Sequence, residues 1–159
     1  MEEQFIRKEA IIPATREELW HAWTTTEGVE SFFAPKAKIE LKVGGAYECL
    51  FLLDRPHSDQ GSEGCKVLAF WPMDYISFSW NAPPEFPEER GQHTKVVVEI
   101  DRHDESNYRV LLTHMGFGSS GNWDKVIQFF EVAWQNVLNN LKALFEAKRA
   151  SEEPLNAER

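Results

Sequence analysis

The stretch Asn122–Lys148, NWDKVIQFFEVAWQNVLNNLKALFEAK, decides the fold. It contains no proline or glycine. Val126, Phe129, Phe130, Ala133, Trp134, Val137, Leu138, Leu141, Leu144 and Phe145 recur in it at steps of three and four. That is the period of a helix with one apolar stripe. At about 1.5 Å per residue such a helix runs roughly 40 Å, enough to cross an entire small sheet. A stripe of that length must be buried, so the chain upstream has to supply a surface to receive it.

The upstream chain reads as strands. Lys38–Val43 alternates strictly, Gly44-Gly45 suits a tight turn, and Ala46–Leu53 returns as the second arm of a hairpin. After the polar stretch Asp54–Glu63, expected as a loop, Gly64–Phe70 reads as a strand. Tyr75–Trp80 is another, with Ile76, Phe78 and Trp80 on one face. Asn81–Gly91, rich in proline and acid, predicts a long exposed loop kept hydrated by Glu85, Glu88 and Glu89. Thr94–Arg102 and Tyr108–Gly116 form a last hairpin around His103–Asn107. Before all of these, Gln4–Ile12 alternates as a strand and Pro13 ends it. Thr15 with Glu18 then makes a capping-box pattern for a short helix carrying Leu19, Trp20, Ala22 and Trp23. A second short helix, from about Thr26 to Phe32, closes at Ala34-Pro35.

One strand, two short helices, a six-strand antiparallel meander and a terminal helix give an α+β domain, with the first strand at one edge of the sheet. Antiparallel sheets bury one face, and a twisted sheet of six or seven strands curls into a trough that accepts the helix. The short helices plug one end. A cylinder in a curved trough leaves space where the curvatures differ, so an internal cavity is expected between sheet and helix. The domain is expected to span residues 1–149, with 150–159 a flexible tail.

Several motifs taken in order carry a resemblance to a known family. They are Trp23-Thr24-Thr25, Phe32-Phe33-Ala34-Pro35, Val43-Gly44-Gly45, Trp71-Pro72, Phe78-Ser79-Trp80, Val110–Gly116, and Trp134 with Leu138 and Leu141. Over residues 4–147 the sequence resembles the family related to the carboxy-terminal domain of the activator of the ninety-kilodalton heat-shock-protein ATPase, within the START-like helix-grip (SRPBCC) superfamily. The resemblance implies a helix-grip sheet around the terminal helix and a hydrophobic pocket between them. It does not imply one activity, because superfamily members include lipid and hormone carriers and aromatic polyketide cyclases. The co-chaperone itself carries a further amino-terminal domain that this length does not accommodate. Chaperone binding therefore stands only as an alternative, surface-based role.

Composition narrows the partners. A net charge of −9 repels polyanions, which argues against nucleic acid and acidic lipid surfaces. No apolar run reaches the length of a signal peptide or membrane span, and a cytoplasmic protein is expected. Cys49 and Cys65 read as reduced thiols, although hairpin pairing would bring them nearly opposite and permit a disulfide. The five histidines lack metal-ligand spacing. Ser119-Ser120-Gly121 is not an esterase elbow, and Gly44-Gly45 precedes a strand instead of a phosphate-binding helix. No metal, cofactor or nucleophilic catalysis is expected.

What remains is aromatic surplus: six Trp, eleven Phe and three Tyr. Trp23, Phe32, Phe33, Phe51, Phe78, Trp80, Trp123, Phe130 and Trp134 come from the plug, the sheet and the helix, and are expected to converge on a pocket for a flat or greasy ligand. Trp80 and Trp134 lead this set because a buried indole donor needs a partner. His114 falls on the same strand face as Val110 and Leu112. It is the candidate acid or base if the pocket supports a cyclase- or aromatase-like reaction, and otherwise a histidine satisfied by its neighbours. The leading expectation is noncatalytic binding of a small hydrophobic or aromatic molecule.

Overall fold

A computed structural model describes residues 3–152. The elements run β1 (Ile6–Ile12), α1 (Arg16–Thr24), α2 (Thr26–Glu30), β2 (Lys36–Ile39), β3 (Tyr47–Leu50), β4 (Val67–Trp71), β5 (Tyr75–Trp80), α3 (Pro87–Arg90), β6 (Thr94–Arg102), β7 (Tyr108–Met115) and α4 (Trp123–Glu152). Five strands form an antiparallel sheet in the order β1-β7-β6-β5-β4, so β1 lies at one edge, and β2-β3 form a second small sheet. The small sheet continues the large one through backbone bonds from Gly44 N to the Val67 carbonyl and from Tyr47 N to the Cys65 carbonyl, both 2.8 Å. A register shift between Val67 and Ala69 inserts one extra residue, Leu68, into β4 against β5. Such a bulge bends a strand and increases its twist, which curls this end of the sheet.

The buried face of the trough follows the alternation of the strands. Ile76, Phe78 and Trp80 of β5, Val96, Val98 and Ile100 of β6, and Val110 and Leu112 of β7 are all buried. Against them α4 lays Val126, Phe130, Trp134, Leu138, Leu141 and Phe145. The expected capping box forms: Thr15 Oγ1 accepts the Glu18 amide at 3.1 Å, and Glu18 Oε1 accepts the Thr15 amide at 2.9 Å. The same Glu18 carboxylate also receives Arg149 and Lys148 of α4 at 2.8 and 2.7 Å. Burial pushes its pKa up, but the bonds from Arg149, Lys148 and the Thr15 amide outweigh this and bring it to about 2. One carboxylate therefore starts α1 and fastens it to the far end of α4.

Four local expectations are corrected. The hairpin does not run through Lys38–Val43 to a two-residue turn: β2 ends at Ile39, and Leu41 and Val43 are exposed. Gly44 N and the Gly45 carbonyl instead bond to Val67 of β4. Gly44 has φ +83°, and a Cβ on Gly45 would lie 2.3 Å from the Glu40 carbonyl, so this loop closes only with glycine at both places. Cys49 and Cys65 are both free and buried, in line with their reading as reduced thiols, and it is the alternative of a disulfide across the hairpin that falls. Backbone pairing sets Cys65 against Tyr47, and Cys49 against Ser62, instead of facing each other. The loop after β5 contains α3, and Glu89 within it is only 3% exposed, so it does not serve hydration as expected. Finally, α4 continues to Glu152, into the expected tail; the remaining tail positions lie outside the described residues.

Candidate functional site

Between the curved sheet and the first half of α4 lies a cavity of about 420 Å³. Its floor is aromatic. Phe33, delivered by the turn after α2, stacks on Trp80 at the end of β5 with centroids 5.6 Å apart and meets Trp134 of α4 edge-on at 5.7 Å. Trp80 and Trp134 are 5.4 Å apart. The α4 wall comes from Phe130, Ala133, Trp134 and Val137, four members of one helical stripe. Phe51, Leu52, Gln60 and Gly61 form one lip, and Asn81 to Glu85 with Arg90 form the other. This volume lies within the usual range for small-molecule sites.

The lips are tied together by Arg90. Its Nη1 donates to the Ala82 carbonyl at 2.6 Å, and its Nη2 donates to the Ser58 and Gly61 carbonyls, each at 2.6 Å. Nε also donates to Ser58, and Nη2 lies 3.3 Å from Glu63 Oε1. Glu63 in turn accepts the amides of Ser58, Gln60 and Gly61. Burial pushes the Glu63 carboxyl up, yet these amides outweigh burial and hold it below the usual range. The polar stretch 54–63, which has almost no regular structure, is thereby fixed as one side of the mouth. Glu89 reaches from α3 to the start of α4, where Oε2 accepts the Asn122 amide at 3.0 Å.

Of the aromatic residues singled out from sequence, Phe33, Phe51, Trp80, Phe130 and Trp134 line the cavity. Trp23, Phe32, Phe78, Trp123 and His114 are not on its wall. Trp23 and Phe32 buttress Phe33 from behind, at 5.5 and 5.7 Å. Phe78 stacks on Tyr47 at 3.8 Å, and Trp123 packs on Phe117. Period alone could not separate these layers, because wall and backing share the same strand or helix face. Asn81, Ala133 and Val137 also line the cavity. The two α4 residues were visible in the helical stripe, whereas Asn81 follows the last strand residue and looked like the start of a solvated loop.

His114 is fully buried and lies behind Trp134. Its Nδ1 accepts the Trp134 indole N–H at 2.9 Å, and Nε2 lies 2.6 Å from Thr94 Oγ1. Because Nδ1 is the acceptor, the neutral ring carries its proton on Nε2 and donates it to Thr94. Burial lowers the pKa to about 3, and a second proton on Nδ1 would face the indole N–H. At neutral pH both nitrogens are occupied by protein groups. The arrangement supports a histidine satisfied by its neighbours, which are an indole and a hydroxyl.

Trp80 and Asn81 differ from this. They are 4% and 7% exposed, and neither the indole N–H nor the carboxamide makes a hydrogen bond to another described residue. The described polar side-chain atoms that are both sealed and unpartnered are Trp23 Nε1, Glu89 Oε1 and Arg149 Nε. Trp80 Nε1 and the Asn81 amide are not sealed in this way: each keeps some accessible surface, and both residues line the cavity.

With the fold and cavity established, the family is decided by sequence: residues 13–146 match the family described as activator of Hsp90 ATPase homolog 1-like protein. The chain belongs to this family. Solved structures agree at the level of fold. A structural-genomics protein from Mesorhizobium loti is 19% identical, with a TM-score of 0.72, over 91% of this chain and 98% of that one. The Aha1 dimer from Colwellia psychrerythraea is 19% identical with a TM-score of 0.67, covering 90% and 96%. DynU16, a putative protein of the dynemicin biosynthetic locus, is 17% identical with a TM-score of 0.64, over 89% of this chain but 47% of that one. No curated protein matches the sequence. Among the described residues no cluster suited to a metal ion occurs, and no helix is long and apolar enough to cross a membrane.

Proposed function

We propose that this member of the family binds a small, flat, largely apolar molecule in the cavity under α4, without transforming it. The supporting observation is the 420 Å³ space itself, floored by Phe33, Trp80 and Trp134. A core that needed its rings only for packing would close on itself to near-crystalline density. Affinity would come from apolar burial and ring contacts. His114, the one candidate acid or base, is neutral and has both nitrogens engaged behind Trp134, which disfavours the cyclase-like alternative.

Titration with N-phenyl-1-naphthylamine, an uncharged fluorophore, tests this reading. Saturable binding is expected. At 100 times Kd a ligand adds about 2.7 kcal/mol, which raises the unfolding midpoint by about 5–10 °C in a domain of this size. Ala133→Trp fills the cavity from the helix side and should abolish binding while leaving the protein folded. Failure of the wild type to bind, or binding indifferent to Ala133→Trp, overturns the reading. Capture of the ninety-kilodalton chaperone unaffected by that substitution would instead favour a surface role.

A further inference from the structure

The cavity has a polar corner as well as an apolar floor. We propose that the Trp80 indole N–H and the Asn81 carboxamide select an uncharged ligand, one with a flat apolar body and a carbonyl or carboxamide at its edge. The inference rests on the cavity being a binding site and adds the chemical class of the occupant.

Three observations carry it. First, both side chains are more than nine-tenths buried, line the cavity and have no hydrogen-bond partner among the described residues. A buried donor or acceptor left without a partner costs more than the bond would return, so such groups are normally satisfied. A ligand that fills the cavity and displaces water from these atoms has to supply the partner itself. Second, the indole can only donate, whereas the carboxamide can both donate and accept. A carbonyl oxygen beside Trp80 and a neighbouring N–H or second acceptor beside Asn81 would satisfy the corner. Third, no free charge is available to hold an ion. Arg90 is the one cation on the lining; its charge is paired with Glu63, and it donates to the Ser58, Ala82 and Gly61 carbonyls, which leaves a single Nη1 N–H without a partner among the described residues. Glu85, the one carboxylate on the lining, is exposed at the lip, away from the floor. An anion would also meet the protein's overall charge of −9. Burying an unpaired charge is far more costly than burying a neutral polar group.

Four compounds of one shape separate the possibilities. 2-Naphthamide presents a neutral carboxamide, 2-naphthoate an anion, 2-naphthamidine a cation, and 2-isopropenylnaphthalene no polar edge. Isothermal titration calorimetry at pH 7 should show 2-naphthamide binding about tenfold or more tightly than the apolar isostere, because each hydrogen bond contributes a few-fold to tenfold. It should exceed both ions by at least as much. Trp80→Phe and, separately, Asn81→Leu should bring the ratio of the amide's affinity to that of the apolar isostere close to one, whatever each change does to apolar binding itself. Either variant suffices if the other fails to fold, and the wild-type comparison needs neither.

Equal binding of amide and apolar isostere, or tightest binding of either ion, overturns the polar-corner assignment and leaves the cavity reading intact. Binding by none of the four overturns both. Amide preference that survives both substitutions removes Trp80 and Asn81 from the role.

Discussion

Trp80 and Trp134 lie 5.4 Å apart on the same cavity and are almost equally buried, yet their indole nitrogens are treated oppositely. Trp134 donates to His114, whose Nε2–H donates in turn to the Thr94 hydroxyl, so that a helix and two strands are joined by a closed polar chain. Trp80 donates to nothing among the described residues, and Asn81 beside it is in the same condition. The difference teaches how structural polarity is told from a site. A network satisfied inside the fold fixes the fold, whereas polarity left open toward a cavity awaits something from outside. It also reverses the ranking a sequence suggests. His114 is the most chemically able side chain of the set and the least available.

The strongest way to break the comparison is to remove the internal partner. His114→Leu leaves the Trp134 N–H and the Thr94 hydroxyl buried and unpaired, so a loss of about 3 kcal/mol is expected in denaturant unfolding. The amide preference of the cavity should persist in the folded protein. A loss below about 1 kcal/mol would mean that the chain Trp134–His114–Thr94 is not structural.

Acid tests the same network without mutation. The folded-state pKa of His114 is about 3, against an ordinary value of 6.5, so the unfolded chain binds the proton more readily. The contribution is fully present above pH 6.5 and is lost as pH falls from there toward 3. Between pH 7 and pH 5 the expected loss is about 2 kcal/mol, from roughly 1.4 kcal/mol per pKa unit. The carboxylate of Glu18, lowered from 4.5 to about 2, responds at lower pH and leaves this window clear. Stability curves of wild type and His114→Gln, which cannot titrate, should diverge between pH 6.5 and 5. Parallel curves would contradict the buried neutral imidazole.

Arg90 extends the comparison to the mouth, where a charged group is held by several protein partners while Trp80 has none among the described residues. Arg90→Lys replaces a planar fork with a point charge that cannot reach three carbonyls at once. A loss of about 1–2 kcal/mol is expected, with faster hydrogen exchange at Ser58, Gln60 and Gly61, whose amides Glu63 holds. Unchanged exchange there would show that the lips are held by other contacts.

These contrasts also mark what could be read from the chain. The Asn122–Lys148 period, the capping box at Thr15 and the alternation of Tyr75–Trp80 are local patterns, and each forms as expected. The chain before Gly44 departs from the regular hairpin its alternation predicts because its glycines serve bonds to β4, a partner distant in sequence. Five of the nine aromatic residues chosen line the cavity, but the stripe could not rank wall against backing: Phe78 and Trp80 share one strand face, yet only Trp80 borders the space. Asn81 and Glu89 were hidden for a related reason. Polar residues in a proline-rich loop look solvated until the loop is folded back over the sheet.

The smallest expected effect on stability is the most discriminating. Trp80→Phe removes an N–H that has no protein partner, so no internal hydrogen bond is lost. What is lost is the smaller ring's share of apolar contact, about 1 kcal/mol at the usual 25 cal/mol per Å². The same change at Trp134 would leave the His114 Nδ1 lone pair facing a hydrocarbon ring, adding the cost of an unsatisfied buried acceptor, about 1–3 kcal/mol. The two substitutions are chemically identical and 5.4 Å apart, so the difference between their unfolding free energies isolates the hydrogen bond from the ring. Trp134→Phe should prove the more destabilising by at least about 1 kcal/mol, while Trp80→Phe should be the one that erases the preference for 2-naphthamide over its apolar isostere. Equal destabilisation would make the two indoles equivalent and deprive the open corner of its meaning.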